Sequence, residues 1–142
     1  MVVITIVITA LLVGCGGQAG AKNTVSQEVK TTGGSYWNLS PAQLSAMLKD
    51  KDFLMVNVHI PYEGEISQTD LFIPYNEVEQ NLARFPQNKG EKIVLYCRSG
   101  SMSAIAARTL VRLGFSNVWN LDGGMLNWAK EGYIVNRSPQ GS

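Results

Sequence analysis

Residues 93–113 read IVLYCRSGSMSAIAARTLVRL: an apolar run that stops at a cysteine, a short polar loop, and then a helical pattern. Ile93, Val94, Leu95 and Tyr96 are apolar without alternation and partly β-branched, the signature of a strand covered on both faces of a parallel sheet. Beyond the loop the period changes. Met102, Ile105, Ala106, Thr109, Leu110 and Leu113 fall at i, i+3, i+4, i+7, i+8 and i+11, which predicts one apolar face of a helix. Arg108 and Arg112 near its end complement the helix dipole, and Gly114 supplies a left-handed stop.

A strand that hands over to a helix through Cys97-Arg98-Ser99-Gly100-Ser101 sets the thiol before the unpaired N–H groups of a first helical turn. Those groups carry partial positive charge, which favours a thiolate, and the Arg98 guanidinium adds to it. Gly100 lets the backbone curl so that its N–H groups converge, while Ser99 and Ser101 add hydroxyl donors. The expected product is an anion-binding bowl with a nucleophile, Cys97, at its base. The alternative is a buried structural cysteine followed by a plain turn; the polar loop and the helix behind it weigh against that.

The same alternation of strand and helix extends in both directions. Downstream, Val118-Trp119-Asn120-Leu121 reads as a strand, and Asp122-Gly123-Gly124 turns into a helix around Met125, Trp128 and Ala129 that Gly132 ends. Upstream, residues 53–58 (FLMVNV) form another buried strand whose polar end carries Asn57 and His59. Residues 61–74 make a long irregular connection containing Glu63, Glu65 and Asp70, which are expected to be mainly solvated and could tune what approaches the cysteine. Asn76-Glu77-Val78-Glu79 predicts a capped helix with Val78, Leu82 and Phe85 inward. Ser40-Pro41-Ala42-Gln43 is a second helix start, with Ser40 as cap and Gln43 placed to reach back. Right-handed crossovers should assemble these units into a small open parallel sheet with helices on both faces, an α/β fold.

Tyr96-Cys97-Arg98-Ser99-Gly100-Ser101-Met102-Ser103-Ala104 resembles the active-site loop of rhodanese-like sulfurtransferases. The resemblance continues through Leu113-Gly114-Phe115, Val118-Trp119-Asn120-Leu121, Gly123-Gly124-Met125 and Trp128, and covers residues 38–137. It implies that Cys97 is catalytic, taking a sulfane sulfur from thiosulfate or a related donor as a persulfide and passing it to a thiol or cyanide acceptor. Arg98, Ser99, Gly100, Ser101, Met102 and Ser103 would hold the donor and the persulfide. No cofactor and no metal are expected. A non-catalytic envelope binding or persulfide-carrier module is the alternative function.

The chain departs from the family's habits in four places. Asn57-Val58-His59 stands where Asp-Val-Arg is common, Glu65 stands where His is frequent, and Ser67 stands where Pro is. Asn57 is expected to fix backbone in neighbouring loops; His59 is expected at the surface or in packing, with a part in substrate entry as the other option. Met102 occupies the position five after the cysteine, where many members have a second arginine. That predicts a weaker hold on a doubly charged donor and a better fit for an apolar or thiol-bearing one. Tyrosine phosphatases require an arginine six residues after the cysteine, where this chain has Ser103, so phosphate chemistry is not expected.

Composition bounds the rest. The 142 residues allow one domain beside an amino-terminal segment, 45% hydrophobic content supports a real core, and a net charge of +1 provides no field for nucleic acid. The two cysteines, Cys15 and Cys97, lack CxxC or Cys/His spacing, and His59 is the single histidine. Residues 2–13 are apolar apart from Thr5 and Thr9 and are shorter than the roughly 20 residues a membrane span needs. They match a signal-peptide core, and Leu11-Leu12-Val13-Gly14-Cys15 resembles a bacterial lipobox with Cys15 as the lipidated residue. No Lys or Arg precedes this run, unlike most signal peptides, and a β-branched edge strand is the other reading of VVITIVIT. The expected organisation is a lipoprotein-type signal over 1–15, a flexible linker over 16–36, a rhodanese-like domain over 37–137 and a disordered tail over 138–142. The protein is thus expected to be an exported, membrane-anchored lipoprotein (periplasmic or extracytoplasmic), monomeric, with small sulfur compounds as partners.

Overall fold

The computed structural model describes residues 25–137. The expected signal, the lipobox Cys15 and the tail over 138–142 lie outside the described residues.

In chain order, Gln27–Thr31 (β1) and Gly34–Leu39 (β2) form a hairpin that leads into the helix Pro41–Met47 (α1) and a 3-10 turn, Leu48–Asp50. Next come Leu54–Asn57 (β3), Glu65–Ile66 (β4), Leu71–Phe72 (β5) and a second 3-10 segment, Glu79–Arg84. Ile93–Tyr96 (β6), Ser101–Arg112 (α2), Val118–Leu121 (β7), Gly124–Lys130 (α3) and Val135–Asn136 (β8) complete the domain.

The main sheet has the order β1-β2-β7-β6-β3-β5, and all its pairings are parallel except β1 with β2. β6 lies inside it, with Ile93 opposite both Leu54 of β3 and Val118 of β7. The continuous apolar run of β6 is explained by its position: pleating sends Ile93, Leu95 and Cys97 to one face and Val94 and Tyr96 to the other, and every one of them is buried. Ala106, Ala107, Leu110 and Val111 of α2 cover the first face. Leu44 of α1 and Met125 and Trp128 of α3 cover the second. The α/β class, with a mostly parallel sheet and helices on both faces, is as expected.

The cap at α1 forms as its residue types require. The Ser40 hydroxyl accepts from the Gln43 N–H at 3.2 Å, and the Gln43 side chain accepts from the Ser40 N–H at 2.8 Å.

Three expectations need correction. The linker expected over 16–36 does not extend that far: from Gln27 onward the chain is the β1-β2 hairpin, and β2 is a full member of the sheet beside β7. β1 is mostly exposed and polar, with Val29 its one apolar residue packed against the core, so it carries little hydrophobic signal. The helix expected after Asn76 is a 3-10 segment broken at Asn81 (φ −108°, ψ 18°), although Val78 and Phe85 are buried as expected. Finally, the buried stripe of α2 is rotated from the one expected. It runs through Ser103, Ala106, Ala107, Leu110 and Val111, while Ile105 is 45% exposed.

Candidate active site

β6 ends at Tyr96 and α2 starts at Ser101, so Cys97, Arg98, Ser99 and Gly100 make the whole turn between sheet and helix. Gly100 accepts the left-handed conformation (φ +94°) that this turn demands. Its N–H is thereby aimed back at the Cys97 sulfur, with N to Sγ 3.0 Å. Ser103, one turn into α2 and without exposed surface, places Oγ 3.4 Å from the same sulfur and 3.2 Å from the Gly100 carbonyl. Its single hydroxyl proton serves one of those two acceptors at a time. The sulfur thus accepts from one main-chain N–H and faces one hydroxyl inside the core.

The loop is fixed from below by the start of α3. The Met125 N–H donates to the Cys97 carbonyl (2.9 Å) and the Leu126 N–H to the Arg98 carbonyl (3.0 Å). This approach depends on Gly124, where a Cβ would lie 2.4 Å from the Cys97 carbonyl oxygen. The nucleophile candidate is therefore held by backbone on both sides.

The bowl is closed in this structure. Cys97 has no exposed surface (0%), and its sulfur belongs to the same apolar cluster as Leu95, Ala106 and Leu110. Of the expected loop donors, Gly100 and Ser103 reach the sulfur. Ser99 and Ser101 face each other at the surface, Oγ to Oγ 3.4 Å. Met102 is half-buried and packs against the core cluster that contains Cys97.

On the neighbouring strand, Asn57 is fully buried and does what its amide suggested. Its Nδ2 donates to the Gly64 carbonyl (2.9 Å) and its Oδ1 accepts from the His59 N–H (3.0 Å), so it ties the chain after β3 to itself. His59 is buried, only 7% exposed, and its Nε2 lies 2.5 Å from Oε2 of Glu63. The same carboxylate oxygen is 3.4 Å from Nε of Arg98. Glu63 thus joins the end of β3 to the cysteine loop. The sequence put it in a solvated loop, and in a segment without helix or strand periodicity no spacing rule points to its partners. Asp70, another carboxylate of that connection, is structural, accepting from the Met55 N–H at 2.7 Å and pairing with Lys51. Gly124 was also read only as part of a tight turn, because its role depends on a close approach between distant segments.

Beside Arg98 opens a cleft of about 140 Å³ whose walls come from Glu63, Arg98, Met125, Leu126, Ala129, Val135 and Arg137. Among the described residues there is no cluster of three or more His, Cys, Asp or Glu side chains arranged to hold a metal.

A nucleophile candidate on a strand-to-helix turn, inside a mostly parallel sheet, agrees with what comparison with other proteins finds. A family model for the rhodanese-like domain matches residues 40–131. The chain belongs to that family. A rhodanese-related protein from Thermoplasma volcanium superposes with a TM-score of 0.61 at 27% identity, over 71% of this chain and 98% of that one. A Rhodopseudomonas palustris protein described as a possible tyrosine phosphatase gives a TM-score of 0.60 at 25% identity, over 70% and 83%. Among curated relatives, a tRNA uridine(34) hydroxylase from Escherichia fergusonii is 31% identical over 99 residues, which is 66% of this chain and 28% of that protein. The chain thus spans less than a third of the curated relatives it matches.

Proposed function

We propose that this rhodanese-like domain is a sulfurtransferase that carries sulfur as a persulfide on Cys97. The observation that supports this most is the Gly100 N–H pointing at Sγ from 3.0 Å in the turn between β6 and α2. A thiolate nucleophile that accepts from a main-chain N–H and a hydroxyl needs no partner base. The thiolate attacks the outer sulfur of thiosulfate, the S–S bond of the donor breaks, and sulfite leaves with the electron pair; the cysteine becomes Cys97–S–S⁻. An acceptor thiolate or cyanide then attacks the terminal sulfur and regenerates the Cys97 thiolate, releasing an organic persulfide or thiocyanate. Each half-step exchanges one sulfur–sulfur bond for another bond to sulfur, so no outside oxidant or reductant enters. Because Cys97 has no exposed surface, a donor reaches its sulfur only when the residues packed around it shift.

Phosphate chemistry has less support. Ser103 holds the position where a phosphatase would place its arginine, and its hydroxyl is directed at the sulfur and the Gly100 carbonyl. The hydroxylase activity named for the curated relatives belongs to proteins more than three times the length of the matched region.

The test is mass spectrometry of the purified domain after incubation with thiosulfate, together with thiocyanate release on adding cyanide. One added sulfur that is absent in Cys97→Ser is the expected result. No adduct with thiosulfate or any organic persulfide would replace this reading with a non-catalytic binding module. We further propose export and lipidation at Cys15, supported by the lipobox pattern. Radiolabelled palmitate should be incorporated and lost in Cys15→Ala; unmodified protein in the soluble fraction would reject it.

A further inference from the structure

Residues 97–104 contain a single formal charge, that of Arg98. Its guanidinium lies against a carboxylate, with Nε 3.4 Å from Oε2 of Glu63. Both side chains are about half exposed, a setting in which an ion pair ordinarily contributes little because two long side chains must be ordered to make it. Here one of them is already held. His59, buried just beyond β3, donates from Nε2 to the same Oε2 at 2.5 Å, and its backbone N–H is fixed by the Asn57 amide oxygen. Nδ1 of that ring is buried with no hydrogen-bond partner among the described residues, which suits a bare lone pair and leaves a second ring proton no acceptor. The imidazole is therefore a neutral clamp, and Glu63 keeps its negative charge for Arg98. The charged walls of the adjacent cleft, Glu63, Arg98 and Arg137, sum to +1 with that carboxylate and to +2 without it.

We propose that Glu63 determines the donor class by charge: in neutralising Arg98 it favours sulfane donors with one negative charge over doubly charged thiosulfate. The proposal rests on the sulfurtransferase reading and names the substrate class within it. A dianion gains twice as much as a monoanion from an unbalanced cation and meets twice the repulsion of the Cys97 thiolate. Cancelling the loop's one cation thus weakens the dianion's approach more. In the favoured step the Cys97 thiolate attacks the outer sulfur of R–SO₂–S⁻ or R–S–S⁻. The donor's bond to that sulfur breaks, R–SO₂⁻ or R–S⁻ leaves with the electron pair, and Cys97–S–S⁻ forms. Charge and sulfur balance without a co-reactant.

The experiment compares thiosulfate with methanethiosulfonate, in which a methyl group replaces one charged oxygen, by kcat/KM for thiocyanate release with cyanide. Glu63→Gln removes the charge while keeping an oxygen for the His59 ring N–H. It should raise the thiosulfate-to-methanethiosulfonate ratio about two- to fivefold, the range of an exposed ion pair, through a lower KM for thiosulfate. The gain should fade at about 1 M salt, where charges are screened over about 3 Å. Glu63→Asp, which keeps the charge, should hold the ratio near that of the unaltered protein. Glu28→Gln, which removes an equal charge on β1 at the rim of the sheet, should leave it as it was. An unchanged ratio in Glu63→Gln, or a rise matched by Glu63→Asp or Glu28→Gln, overturns the charge selection while sulfur transfer stands. Failure of both donors, and of an organic persulfide, to load Cys97 in the unaltered protein overturns the selection and the transfer reading together.

Discussion

Replacing Gly124 by alanine should loosen the cysteine loop, and a companion substitution separates that effect from ordinary backbone strain. Gly124 has φ +57°, a region that costs an L-residue roughly 1–2 kcal/mol. In addition its new Cβ would lie 2.4 Å from the Cys97 carbonyl oxygen and 2.7 Å from the Arg98 carbonyl carbon and oxygen. Ordinary contact begins at 3.4 Å, so the two segments must separate by about 1 Å, the difference between 3.4 and 2.4. Such a movement breaks the Met125–Cys97 and Leu126–Arg98 hydrogen bonds, each contributing about 0.5–1.5 kcal/mol net. The expected loss is therefore about 2–5 kcal/mol. Gly132 offers the comparison: φ is +91° and no atom lies within 4 Å of its Cβ position, so Gly132→Ala carries only the conformational cost. Urea unfolding of both variants should place Gly124→Ala about 1–3 kcal/mol below Gly132→Ala. Persulfide loading of Cys97 should fall in the first and hold in the second. Equal stabilities, or an unaltered loading rate in Gly124→Ala, would refute the claim that α3 fixes the loop.

Two further substitutions probe the same frame. Asn57→Ala leaves the Gly64 carbonyl and the His59 N–H without their partner inside the protein, at a cost of about 2–4 kcal/mol by chemical denaturation; a change below 0.5 kcal/mol would show that this amide is dispensable. Tyr96→Phe removes the acceptor of the Ile66 N–H (3.0 Å) and should cost about 1–3 kcal/mol near neutral pH. Burial raises the Tyr96 phenol well above its ordinary range, so its stabilising effect is complete below pH ~10, where the unfolded phenol is still protonated, and is lost as pH rises toward the folded value. Between pH 8 and pH 11 the gap between the two proteins should accordingly narrow by about 1.4 kcal/mol, and a gap independent of pH would contradict the buried, neutral phenol.

What could be read from residue order follows from how local each feature is. The Ser40-Pro41-Gln43 cap closes within four residues, and the cysteine turn within seven, so both carry their whole logic in one short stretch. The β1-β2 hairpin was read as linker because its first strand is mostly exposed and offers only Val29 to the core, which leaves the hydrogen bonds but little hydrophobic signal. The buried face of α2 was misplaced for a related reason. A helix lying close on a sheet buries small residues, here Ser103, Ala106 and Ala107, and a pattern weighted by large apolar side chains selects Ile105 instead. The Glu63 bridge and the Gly124 contact join segments distant in sequence, which periodicity does not report.

The hairpin that escaped the sequence reading also decides how the sheet meets its surroundings. Its outer strand presents Glu28 and Lys30, which pair with each other at 3.6 Å, and the opposite rim is β5, only two residues long. A foreign strand adding to the first rim must settle beside alternating charges, and at the second it finds almost no ladder to continue. Both margins of the sheet are thereby poor templates for cross-chain β-pairing, and the domain carries its own protection against aggregation through strand addition.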